Sequence, residues 1–561
     1  MDLVGKIQQV NDPTGTYAFA YDNMGRLIGT TTNYSFLPGK TFTNGYSYDA
    51  ASNRTGFTDP ETGSTTYAYD TLNRLQTLTP PAAISGGSFG FSYDALSRRT
   101  QMTRPNSVTT NYGYDNLSHL LSVLHQVSGS TIDGASYTVD SAGNRTAKTD
   151  QRLALTTNYG YDSIYQLLSA TQSGSTTENY TYDPVGNRLS SLGVASYTDN
   201  TSNELTATSN ASYDLNGNAT TKNNSTGITT YAWDFENRLT SVTLPASGGT
   251  VSFKYDPFGR RIYKSSSTST SVYAYDGDNL IEETNGSGAV VARYSQGLNI
   301  DEPLAMSRSS ATSFYNADGL GSITSLANAA GALAQTYTFD SFGKQTASTG
   351  SLTNPFQYTG RESDSETGLY YYRARYYDPG VGRFINEDPV GFEGGTNFYR
   401  YASNSPVFWI DPSGTQCYSV TPNGMTEKPC DRQPEMTCNF TPSKIYSCKI
   451  PIPPSPAAGP LHHRDTDPGC VCDPVYLMTQ ARNIRKEAKN KNKNTVISAY
   501  GTSGALTGLE LILEHLGLGP ASLVILPADL LMLGLDIDEV RRNNRLADEQ
   551  IRILFEPCTI H

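Results

Sequence analysis

Aromatic side chains recur at every second position in short runs along the first 350 residues. Examples are Tyr17-Ala18-Phe19-Ala20-Tyr21 and Tyr67-Ala68-Tyr69. A period of two is that of a strand with its rings on one face. Each run ends on Asp, followed by about three residues and then Asn-Arg-Leu, Gly-Arg-Leu or a variant. Copies end at Asp22, Asp49, Asp70, Asp94, Asp115, Asp140, Asp162, Asp183, Asp214, Asp234, Asp256, Asp276 and Asp340, most of them 20 to 27 residues apart. The Asp is placed to satisfy backbone donors in the following turn, where Asn or Gly accepts left-handed geometry. The Arg begins the return strand. Each repeat therefore reads as a hairpin, and hairpins bury an aromatic face only by stacking on their neighbours. Regular repeats of this kind are scaffold; carbohydrate binding by exposed rings is the minor alternative.

Composition agrees with a mainly β fold. There are 38 Tyr and only 17% charged residues in 561, with 50 Gly to serve the turns. Tyr and Thr suit pleated, half-buried surfaces. Net charge is −12. Through Thr415 there are 26 Lys+Arg against 37 Asp+Glu, and beyond it 15 against 16. The acidity belongs to the repeats and argues against a nucleic-acid partner for that region. The N-terminus carries no classical signal peptide and begins almost in mid-repeat without a cap. It therefore reads as the C-terminal part of a longer chain.

All seven Cys follow Thr415, at 417, 430, 438, 448, 470, 472 and 558. That change in composition marks a boundary. It reads as a disulfide set or, less strongly, a metal site. The organisation predicted is repeats over 1–350, a distinct core over 351–415, a Pro/Cys-rich irregular segment over 416–475 and a helical region over 476–561. The grouping of His462, His463, Asp465, Cys470 and Cys472 lacks the spacing of a zinc site, and no cofactor motif is present. Residues 475–494 read as a helix ending in basic residues. The apolar stretch 506–537 reads as two core helices. Its alternative is a membrane-inserting hairpin, since no run reaches the ~18 apolar residues of a spanning helix.

The core contains two Asp-Pro-x-Gly units, Asp388-Pro389-Val390-Gly391 and Asp411-Pro412-Ser413-Gly414, separated by an aromatic, Asn-rich run. Read alone these are turns, with Pro fixing φ and Gly supplying positive φ. The run YYRARYYDPGVGRFINEDPVGF, continued by NFYRYASNSPVFWIDPSG, closely resembles the repeat-associated core of bacterial RHS/YD-repeat proteins. With the repeats, the resemblance covers roughly residues 17 to 415.

The resemblance implies a strip of hairpins spiralling into a hollow, teneurin-like β-shell, plugged by the core. It also implies self-cleavage by an aspartyl-protease-like pair, carried here by Asp388 and Asp411. Arg383, in a Gly-Arg-Phe that the family shares, is placed to orient an Asp or polarise the scissile carbonyl. Two carboxyls held close cannot both ionise, which supplies an acid and a base together. The implied cut lies between Thr415 and Gln416, where the family commonly has Leu in place of Thr415. The segment beyond would be a variable effector of polymorphic-toxin type, carried as cargo in a secreted or cell-surface protein. It would meet an immunity protein and a secretion-system component, in competition with rival cells or attack on a host. The other readings are an adhesion or interaction protein with an inert core, and a remnant of a larger gene.

Overall fold

The computed structural model describes residues 5–207 and 211–415, and the backbone of Tyr418–Thr421 and Gly424–Glu427. These lie in a compact unit spanning Met1–Glu435. Gln416, the cysteines, the His462–Cys472 grouping, the helical region 476–561 and the apolar stretch 506–537 lie outside the described residues.

The described chain is antiparallel β. Seventeen strands, from Gln9–Asp12 to Arg188–Ser191, form one sheet in which each strand pairs with the next. Fourteen more, from Ser212–Tyr213 to Gln345–Thr349, form a second sheet of the same plan. Between them, Thr198–Asp199 pairs with Leu205–Ala207. Among the described residues the only helical elements are three short 3-10 turns in the core.

One turn shows how the repeat works. Asp70 Oδ1 accepts the N–H groups of Leu72 (2.9 Å) and Arg74 (3.0 Å), and its other oxygen pairs with the Arg74 guanidinium. Asn73 takes φ 59° to close the loop. The Arg then reaches forward. Arg74 Nη1 donates to Asp94 O of the next repeat at 3.1 Å, and its guanidinium lies 4.8 Å from the Tyr93 ring. In turn, the Tyr93 hydroxyl donates back to Leu75 O at 2.8 Å. Arg26 and Arg98 repeat the device on Asp49 and Asp115. The Tyr-Asp signature thus closes its own turn, and the Arg couples neighbours, which the sequence assigned only to starting a strand.

The buried sides of the two sheets meet in one aromatic core that includes Tyr17, Tyr34, Phe57, Phe89, Tyr273, Phe314 and Tyr315. Polar ties run along the contact: the Tyr34 hydroxyl donates to Tyr273 O (2.8 Å), and Arg54 pairs with Asp276 (2.6 Å). The opposite faces are ladders of Thr and Ser, such as Thr138 with Thr146 and Thr149 with Thr156.

The core segment is a four-stranded sheet, Glu362–Asp364, Leu369–Tyr372, Arg375–Asp378 and Arg383–Phe384. It packs Tyr371 and Tyr376 on Phe253 and Tyr255 of the second sheet, and Val407 beside Leu167 and Tyr180 of the first. Arg261, from the second sheet, is buried against Asp364 (2.5 Å) and Glu362 (3.0 Å) of the core. The last described sheet pairs Trp409–Ile410 with Tyr418–Thr421, and that strand with Gly424–Glu427, where composition predicts irregular structure.

Candidate active site

The strand Arg375–Asp378 is buried at every position, so Arg375 is a charged group only 2% exposed. A tight turn at Arg373-Ala374 places it there, with Tyr372 paired to Arg375. One face of its guanidinium lies 3.6 Å from the centre of the Phe384 ring. Its edge meets four oxygens. Nη2 lies 2.9 Å from Asp388 Oδ2 and 2.9 Å from Asp411 Oδ2. Nη1 donates to Phe398 O at 2.8 Å, and Nε donates to Gly414 O. The two carboxylates therefore stand within two hydrogen-bond lengths of each other. They are 8% and 2% exposed, dry enough for their charges to be felt strongly.

Both Asp-Pro-x-Gly units form turns that aim these carboxylates. Asp388 Oδ1 accepts the Val390 N–H (3.1 Å) and its carbonyl accepts the Gly391 N–H (2.9 Å). Asp411 Oδ1 accepts the Thr415 N–H at 3.0 Å and the Ser413 hydroxyl at 3.4 Å. Gly414 is dictated by its surroundings. Its φ is +71°, and a Cβ there would lie 2.2 Å from Tyr372 O. Seating Gly414 against that turn brings Thr415 to the Asp pair.

Burial pushes the Asp388 carboxyl up to about 6, and nearby Asp411 adds to the rise. Arg375 and the Val390 N–H oppose it. Burial also lowers Arg375, against the pull of Asp411 and Asp388. The arrangement is two carboxyls around one cation, one of them poised to hold a proton near neutral pH.

The structure brings Asp388 and Asp411 together and turns Arg383 away from them. Arg383 pairs with Asp199 at 2.5 Å, donates to Asn203 O, and stacks 4.9 Å from the Tyr399 ring. Its place beside the carboxylates is taken by Arg375. The reason is strand geometry: Arg383 pairs opposite Asp378, toward the repeats, whereas Arg375 pairs opposite Tyr372, where Gly414 docks. The signal available in sequence was Arg375 inside a run of buried tyrosines, a setting that obliges a charge to find counter-charges.

Two family models match the chain. One, described as Teneurin YD-shell, matches residues 151–407, and one described as RHS Repeat matches residues 48–85. Over these residues the chain belongs to the RHS/YD-repeat family.

Among curated relatives, this RHS/YD-repeat chain is 31% identical over 237 residues to the tRNA3(Ser)-specific nuclease WapA of Bacillus spizizenii, 40% of this chain and 10% of that protein. It is 40% identical over 105 residues to double-stranded DNA deaminase toxin A of Burkholderia cenocepacia, covering 18% of this chain and 7% of that one. It is 48% identical over 60 residues to toxin protein Tse5 of Pseudomonas aeruginosa, covering 11% and 5%. The chain thus spans a tenth or less of the length of these relatives. A solved TcdB2-TccC3-Cdc42 structure shares the fold, with a TM-score of 0.63 at 20% identity over 73% of this chain and 24% of that one. Among the described residues no helix is long and apolar enough to cross a membrane.

Proposed function

We propose that the core cuts its own chain after Thr415, the covalent step in releasing the 146-residue segment 416–561 as an effector, with the repeats as its carrier. The observation that supports this is the convergence at one cation. Arg375 holds Asp388 and Asp411 through a single nitrogen and also grips Gly414 O, while Asp411 accepts the Thr415 N–H. The bond to be cut is therefore tied to the carboxylates through the residue before it.

The chemistry is that of paired carboxyls. Ionised Asp411 takes a proton from water as the water oxygen attacks the Thr415 carbonyl carbon. Protonated Asp388 donates to the departing amide nitrogen of Gln416. One water is consumed, and the C–N bond gives a Thr415 carboxylate and a Gln416 amine. The raised Asp388 favours its role as the acid. The names of the relatives, two nucleic-acid enzymes and a toxin, favour an effector as the cargo. By the same reading the protein is secreted or displayed at the cell surface through a secretion-system component, and an immunity protein matches the released segment.

The test is to express residues 1–561 and the Asp388→Asn and Asp411→Asn variants, and to measure intact mass alongside a thermal melt. A fragment ending at Thr415 in the parent, absent from both folded variants, is the expected result. A single intact species in all three, or equal cutting in all three, would overturn the assignment.

A further inference from the structure

The joint between the repeats and the core contains a second group of arginines that the Asp pair does not use. Arg188, from the first sheet, has its guanidinium over two rings, Tyr180 at 4.5 Å and Phe342 at 4.2 Å, so only its edge is left for polar contact. Among the described residues, its buried Nη2 has no hydrogen-bond partner, and neither has the buried Nε of Arg383. A buried guanidinium N–H without an acceptor carries a desolvation cost, so it points to an occupant.

Space exists for that occupant. Arg188, Arg383 and Arg400 line a cavity of about 20 Å³ together with Tyr197, Gly186 and Gly382. The two glycines let the arginine side chains approach the backbone closely. A Cβ on Gly382 would sit 2.4 Å from Arg188 Nη2, and one on Gly186 would sit 3.0 Å from Arg400 Cδ. The surrounding amides are already spent: Asn187 and Asn404 donate to Asp183, Asn203, Gln166 and the Gly186 carbonyl. Asp199 neutralises Arg383. Arg188 Nη2 and Arg383 Nε are the donors left facing the space, and cationic donors select an acceptor carrying negative charge.

Size narrows the choice. A single water needs roughly 10–15 Å³ by the same measure. The space at the Arg188 edge therefore takes one particle of that order. The geometry points to a site for one monatomic anion, chloride, bound at the Arg188 edge where the first sheet meets the core. The anion would fasten Gly382 and Arg400 of the core to Arg188 of the repeats. This site does not depend on the cleavage chemistry.

The experiment uses the purified full chain, cut or uncut, at fixed ionic strength in chloride, bromide or gluconate. Binding only to the folded state raises Tm by about 1–2 °C for each tenfold rise in halide above its Kd. The expected result is that rise in chloride and bromide but not gluconate, and its loss in Arg188→Met. Crystals grown in bromide decide the matter without a variant. An anomalous peak in contact with Arg188 Nη2 supports the site, and its absence, leaving a water there, overturns it. A halide effect undiminished in a folded Arg188→Met would also overturn it.

Discussion

Asp388 and Asp411, 23 residues apart in sequence, meet at one nitrogen of Arg375, 2.9 Å from each. A shared guanidinium both holds the carboxyls together and lets them differ in protonation. Without it two buried carboxyls would repel each other or both take up protons. The pair is therefore a unit of three, and the arginine is its positioning member.

Arg375→Lys is expected to keep the charge and lose the geometry, because an ammonium cannot serve four acceptors from one fixed plane. Cleavage should slow at least tenfold, whereas Arg383→Lys should leave it within a few-fold. A time course of intact mass after refolding reads both, with circular dichroism confirming the fold. Equal losses in the two variants would contradict the placement of Arg375.

The pH dependence of cutting follows from Asp388. In the proposed reaction its proton is the one donated, and burial pushes its pKa up to about 6. The protonated fraction falls as pH rises above that value, so the rate should drop about tenfold per unit on the alkaline side. Refolding uncut chain into buffers between pH 5.5 and 8 and following the tail by mass gives the profile. A rate that increases with pH over this range would rule out Asp388 as the acid.

A second carboxyl affects stability rather than chemistry. Asp340 is pushed up to about 7 by burial and by nearby Glu178, against the Lys344 and Phe342 N–H groups and Arg188. Its folded pKa exceeds its unfolded one, so the folded state binds the proton more tightly. Stability therefore falls as pH rises from about 4 to 7. Asp340→Asn keeps the Oδ1 acceptor for Phe342 and Lys344 and never ionises. At pH 8 it should stabilise the chain on the order of 2 kcal/mol, with little change at pH 4. Denaturant melts at the two pH values would show it.

Among the repeat aspartates the penalty should follow burial. The Asp256 side chain is fully buried, accepts the Phe258 and Arg260 N–H groups, and pairs with the Arg260 guanidinium at 2.7 Å. Asp256→Ala strands these donors and should cost about 2–4 kcal/mol. Asp22, in the equivalent turn of another repeat and with its side chain 21% exposed, should cost clearly less on the same substitution. Equilibrium unfolding compares them, and cutting after Thr415 should persist in both if they fold.

Much of this was legible in the residues, and what was not has a common cause. The turn role of each Asp could be read because its partners lie within four residues, as Asp70 with Leu72 and Arg74. The reach of Arg74 to Asp94 O could not, because it joins residues 20 apart through strand pairing. In the core, two Asp-Pro-x-Gly units marked the carboxyls. The tyrosines around Arg375 hint at its burial, but the partners of Arg375 and Arg383, Asp411 and Asp199, lie 36 and 184 residues away. The contact of the two sheets is likewise made by residues such as Tyr34 and Tyr273, 239 apart.

The strand after Thr415 changes what cutting would accomplish. Trp409–Ile410 and Tyr418–Thr421 stay joined by backbone hydrogen bonds that no peptide hydrolysis touches. A nicked chain would thus run as two bands in detergent yet elute as one particle under native conditions. On the proposed reading, cutting would sever the chain, and peeling one short strand from its neighbour would be the separate event that frees the tail.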